Sequence, residues 1–260
     1  VILFPCLPFH PSLHQGPQNP APSPALNHLD RFIPLPMTDL NELGDRIRRL
    51  SDEARPAWGT VSSGWPTLDA RLPARGFRRG TLVEWLASEP GAGTTLCALR
   101  GAREASAADR PLVVVDSDDL FHPPALSAVV DWRRLLLVRG QTPEEADWAV
   151  DQALRTSGVG AVLVRFDRID ERRLRRWQLA AERSGAIGFI VRHLPHPPEA
   201  CFSDVRIATT PLVGGEGRRL RLQLLRSRQG GVGAALEIRI DDHAPALPAV
   251  APPERRSARA

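Results

Sequence analysis

A chain of 260 residues with 42% hydrophobic residues is long enough for one sizeable α/β domain with tails. A net charge of +4 and a sequence pI of about 10.0 suit a nucleic-acid or acidic partner and equally suit an ordinary soluble domain, and no apolar run approaches a membrane span, so no membrane contact is expected. Every basic residue other than histidine is arginine, and the lack of any lysine excludes a catalytic or Schiff-base lysine.

Residues 1–36 are rich in Pro, Ser, Asn and His without helical or strand period, and are expected to be disordered or absent from the mature protein. Met37 is the single methionine and a helical pattern follows it, so translation is expected to start there. The opening VILFPCLPF lacks a basic n-region and carries prolines, which argues against a secretory signal. Residues 37–56 form an amphipathic helix and linker: Leu40, Leu43, Ile47 and Leu50 recur at helical spacing behind Asp39 and Glu42. Such a helix either packs on its own domain or docks on a partner.

Residues 57–241 read as one core domain. Gly64, Gly76 and Gly80 punctuate short segments, and 81–86 is a buried strand feeding a glycine loop and a helix over 94–104. Alternation follows: strand 112–115 ending in Asp116, strand 134–138, helix 143–156, strand 160–165, helix 171–184 and strand 186–191. Strands and helices alternating at these lengths imply a mainly parallel sheet flanked by helices. Beyond Pro198, strands at 203–210, 218–226 and 234–240, with glycine turns before the last two, read as antiparallel hairpins at one sheet edge. Residues 242–260 form a Pro- and Arg-containing tail expected to be disordered. Cys6, Cys97 and Cys201 form no C-x-x-C pair, which indicates neither a disulfide framework nor zinc, and a reducing cytoplasm is the simplest compartment.

The loop EWLASEPGAGTTL, 84–96, stands where a phosphate-binding loop belongs. A P-loop, G-x-x-x-x-G-K-[ST], cradles phosphates with backbone N–H groups, reaches them with its lysine and holds Mg²⁺ with its hydroxyl. Here Ser88 replaces the first glycine, Gly91 and Gly93 keep the turn, Thr95 keeps the hydroxyl and Thr94 replaces the lysine. Drift toward arginine does not explain Thr94. A tight turn opening a helix is the expected role, with nucleotide binding as the alternative.

The order of pieces resembles the RecA core. RecA proteins carry G-x-x-x-L-D-x-x-L, then G-x-x-x-G, then a glutamate near the end of the P-loop strand, and this chain has Gly64, Leu68, Asp69, Leu72, Gly76, Gly80 and Glu84 at the same spacing. Within that superfamily, the lost lysine and the segment RRWQLAAERSGAIGFIVR, 175–192, resemble the ImuA family, RecA-like accessory proteins of the bacterial SOS mutagenesis cassette.

The resemblance implies that the strand ending at Val164 should close on the acid that holds the Mg²⁺ water shell, where this chain has Arg165. It places the water-orienting carboxylate at Asp118. Two lost charged groups leave no expectation of hydrolysis, because phosphoryl transfer relies on positioned charge. Glu84, Asp116 and Asp118 would remain as a residual acidic cluster, and pairing of Arg165 with Asp116, Asp118 or Glu84 is one way to neutralise it. The connections after Arg165 and Val191 are short and lack glycine-rich stretches, so filament-style DNA binding is expected to be reduced. His193 stands about where the family keeps a phosphate-sensing polar residue, or is a plain surface histidine. Arg168, Arg172, Arg173, Arg175, Arg176 and Arg183 form either a solvated or partner-contacting face or, with the basic strand near 218–228, a DNA-binding stripe.

The resulting expectation is a non-catalytic accessory protein of damage-induced mutagenesis and translesion synthesis, bridging RecA and a polymerase-like protein of the ImuB type. It needs no cofactor or metal, with weak ATP binding left open. A divergent ATPase and a nucleotide-independent DNA-binding protein are the alternatives.

Overall fold

The apolar runs read as strands join a single eight-stranded sheet in the computed structural model, which describes residues 58–106, 109–119, 121, 130–194, 202–214, 217–228, 232–233 and 235–240. These all fall within the unit Asp52–Ala260. Residues 1–36, the segment 37–56 expected to form an amphipathic helix with Leu40, Leu43, Ile47 and Leu50, and the tail 242–260 lie outside the described residues.

In chain order the elements are β1 (Thr60–Val61), α1 (Pro66–Asp69), β2 (Phe77–Arg78), β3 (Leu82–Ala87), α2 (Thr94–Ala105), β4 (Leu112–Val115) and β5 (Leu135–Val138). They continue with α3 (Pro143–Arg155), β6 (Ala161–Arg165), α4 (Glu171–Ser184), β7 (Ile187–His193), β8 (Val205–Leu212), β9 (Arg219–Ser227) and β10 (Ala235–Arg239). The large sheet has the order β10-β9-β8-β3-β7-β6-β4-β5. Strands β5 through β8 in that order are parallel, and β9 and β10 are antiparallel. The architecture is therefore α/β, mainly parallel, with C-terminal antiparallel strands.

Alternation along the central strands divides the core. Val83, Trp85, Val114, Leu163 and Phe189 face α2, while Leu82, Val113, Val115, Val162 and Val164 face α3 and α4. Local signals fix the helices. On α3, Thr142 accepts from the Glu145 amide at 3.2 Å, the Glu145 carboxylate accepts from the Gln141 amide at 2.7 Å, and Pro143 opens the first turn. On α4, Asp170 accepts from the Arg173 amide at 2.8 Å, a bond that lowers the Asp170 carboxyl below its ordinary pKa. Gly185 ends α4 at φ 78°, in the left-handed conformation that glycine adopts without strain.

One feature of topology exceeds the sequence expectation. The strand read only as part of an edge hairpin, β8, pairs in parallel with β3, so β9 and β10 extend the sheet from the strand that feeds the glycine loop.

Candidate functional site

The loop 88–93 leaves β3 and enters α2 through two glycines in the left-handed region, Gly91 at φ 78° and Gly93 at φ 76°. Ser88, Glu89, Pro90 and Gly91 are exposed, and the Ser88 amide donates to the Thr209 carbonyl at 3.0 Å, tying the loop to β8. Gly93 is tightly placed: a Cβ there would lie 2.8 Å from Ile240 Cδ1 and 3.1 Å from Leu220 Cδ1, so the C-terminal hairpin abuts the loop.

Thr94, at the position of the P-loop lysine, is only 4% exposed. Its hydroxyl shares a short hydrogen bond with that of Thr209, which also bonds the Leu86 carbonyl at 3.2 Å. The side chain thus closes the joint between α2 and β8 and brings no positive charge to the loop. Thr95 is half-buried and lines a cleft of about 320 Å³ bounded by the loop, Arg165, His193 and Arg218.

The expected acidic cluster does not assemble. Glu84 lies level with Val115 across β7 and β6, three strand spacings or roughly 14 Å away at about 4.8 Å each. Alternation then sends Glu84 and Asp116 to opposite faces of the sheet. Asp116 is buried and accepts from the Phe121 amide at 3.1 Å, holding the turn after β4. Asp118 is exposed in that turn.

Arg165 does not neutralise these acids. It donates to His193 at 3.3 Å in the cleft, because it sits one residue beyond the level of Glu84 and therefore points to the other face. Glu84 is instead held by two arginines in neighbouring strands, Arg206 at 3.0 Å and Arg192 at 3.9 Å, all three being buried. Sequence reasoning missed these partners. The available signal was an arginine inside each of two strands that carry no acidic residue of their own, IGFIVRH and VRIATTPL, which a buried carboxylate next door would explain.

The arginines of α4 divide into two sets. Arg176 reaches Asp147 at 2.5 Å and Asp151 at 3.3 Å, and Arg173 reaches Asp147 at 3.4 Å while lying 5.4 Å from the Phe166 ring. These contacts raise the Arg176 pKa above its ordinary value, chiefly through the hydrogen bond to Asp147. Arg168, Arg172, Arg175 and Arg183 are exposed.

Cys97 lies on the buried face of α2, and burial pushes its thiol up to about 12, so it is an inert packing residue at neutral pH. Among the described residues no three His, Cys, Asp or Glu side chains group as metal ligands, and no helix is long and apolar enough to cross a membrane.

No protein-family model matches the chain. It is similar to the protein RecA of Corynebacterium jeikeium, 33% identical over 119 residues that make up 45% of this chain and 32% of the relative. It is likewise similar to RecA of Rippkaea orientalis and of Crocosphaera subtropica, each 35% identical over the same share of this chain and 34% of the relative. The chain thus spans about a third of the length of the curated relatives it matches. This similarity, on a mainly parallel sheet with a glycine loop between β3 and α2, makes the chain RecA-like.

Proposed function

We propose that the chain is a catalytically silent RecA-like accessory protein that bridges RecA and a specialised, polymerase-like partner of the ImuB type in damage-induced mutagenesis and translesion synthesis. The observation that carries the silent reading is Thr94, whose hydroxyl is spent on Thr209 where an active loop would present a cation. Arg165, at the position of the metal-side acid, bonds His193 and offers no carboxylate to a Mg²⁺ water shell. These residues do not fit Mg²⁺–ATP. The accessory role rests on the resemblance of 175–192 to the ImuA pattern, and the compartment that goes with it is the cytoplasm.

A divergent ATPase is the second reading, favoured by the cleft of about 320 Å³ in which Arg165 and Arg218 face the N-terminal end of α2. Co-purification separates the two. The tagged full chain is expected to retain RecA and the polymerase-like protein together on one column, with neither ATP nor DNA required. Retention of neither protein would refute the bridging role.

A further inference from the structure

The outer face of α3 and α4 carries side chains that the glycine loop does not explain. Trp148 is 67% exposed on α3, and Leu179 is 48% exposed on α4. A large aromatic left in water on a helix whose other apolar residues are largely covered marks a contact surface, since tryptophan and arginine dominate binding hot spots. Along α4, Arg172, Arg176, Leu179 and Arg183 recur at i, i+4, i+7 and i+11. Leu179 therefore sits inside an arginine stripe about 16 Å long at 1.5 Å per residue.

The stripe is pre-organised. Asp147 and Asp151 pin Arg173 and Arg176 along the seam between the helices, which locks α3, and Trp148 with it, against α4. Arg172, Arg175 and Arg183 have no acidic partner among the described residues, so their charge faces solvent.

Charge decides what kind of partner fits. Helix α3 carries four acids and one arginine, and α4 carries five arginines and two acids, so the pair is neutral as a whole. Nucleic acid is held by net positive charge that follows the phosphate backbone along a groove. Here the seam that would serve as that groove is lined by Asp147 and Asp151, and the basic stripe is interrupted by an apolar side chain. We propose that this face docks a protein segment whose apolar side chains meet Trp148 and Leu179 and whose acidic side chains pair with Arg172, Arg175 and Arg183. The inference deepens the accessory-protein reading and rests on it only in taking the partner to be a protein.

The test uses the full chain and a fluorescein-labelled helical peptide with leucines at i, i+3 and i+4 among glutamates. The comparators are the same peptide with serines for leucines, and a labelled oligo-dT. Anisotropy is expected to show binding of the leucine peptide, with the serine version about tenfold weaker, or about 1.4 kcal/mol. Trp148→Ala and Leu179→Ser should each weaken it about tenfold, and the triple reversal Arg172→Glu, Arg175→Glu, Arg183→Glu about a hundredfold. Reversal of the exposed Arg71 and Arg103 elsewhere should change it less than twofold. All these positions are exposed, so thermal melts should stay near wild type and any loss reads as binding. Tighter binding of oligo-dT that displaces the peptide, indifference to Trp148→Ala, or no peptide binding would each overturn the proposal. Peptide binding that persists when RecA and the polymerase-like protein are not retained would instead remove the bridging role alone.

Discussion

Replacing Glu84 by glutamine tests whether the buried carboxylate holds the centre of the sheet. The side chain is fully buried in β3 and lies 3.0 Å from Arg206 and 3.9 Å from Arg192, both almost without solvent contact. Glutamine keeps the volume and one acceptor but removes the charge, leaving two buried cations in the low-dielectric interior. Breaking a buried ion pair on one side costs about 3–5 kcal/mol. The retained amide oxygen can still accept from Arg206, which argues for the lower end, about 3 kcal/mol. For a domain of this size each kcal/mol moves the midpoint by roughly 2–4 °C, so a fall of roughly 6–12 °C is expected in thermal melts. Urea unfolding followed by far-ultraviolet dichroism should give the same loss with an unchanged slope. Adding Arg206→Met to Glu84→Gln should recover part of it, since the pair is then removed together. A Glu84→Gln midpoint within about 0.5 kcal/mol of wild type would refute the reasoning.

Two further outcomes follow from the core. Cys97 has its thiol pushed up to about 12 by burial, whereas an unfolded thiol titrates near 8.5. The folded state therefore holds a proton that the unfolded state loses. This contribution is complete below about pH 8.5 and should vanish at up to about 1.4 kcal/mol per pH unit as pH rises toward the folded value. With neither lysine nor tyrosine in the chain to titrate there, urea midpoints between about pH 8.5 and 11 should decline, and Cys97→Ala should flatten that decline. At the end of α4, Gly185→Ala places a methyl 2.7 Å from the Trp58 ring at φ +78°. Left-handed strain and overpacking together should cost about 2–4 kcal/mol, with Trp58→Ala relieving the steric part, as a double-mutant cycle in urea would show.

Much of the fold was legible because period and punctuation are local. Helix 171–184 and strand 112–115 appear with their expected limits, since Asp170, Gly185 and the β-branched run each carry their own signal. The pairing of β8 with β3 was not legible, because a strand's neighbour is chosen by long-range packing that a single segment does not encode. The same limit explains the site. The missing lysine could be read from spacing, but that Thr94 would turn to Thr209 and Arg165 to His193 depends on which strands stand beside them. The grouping of Glu84 with Asp116 failed because sequence order hid both the β7–β6 insertion and the opposite faces.

The measurement that bears most directly on the silent reading is titration of the full chain with ATP and Mg²⁺, paired with a hydrolysis assay with and without single-stranded DNA. Wild type should show neither micromolar binding nor turnover. Thr94→Lys should not create activity, because a lysine there gives up the bond to Thr209, at about 1 kcal/mol, while Arg165 still stands in the metal-side position. Micromolar ATP binding with DNA-stimulated hydrolysis by the wild-type chain would contradict the account.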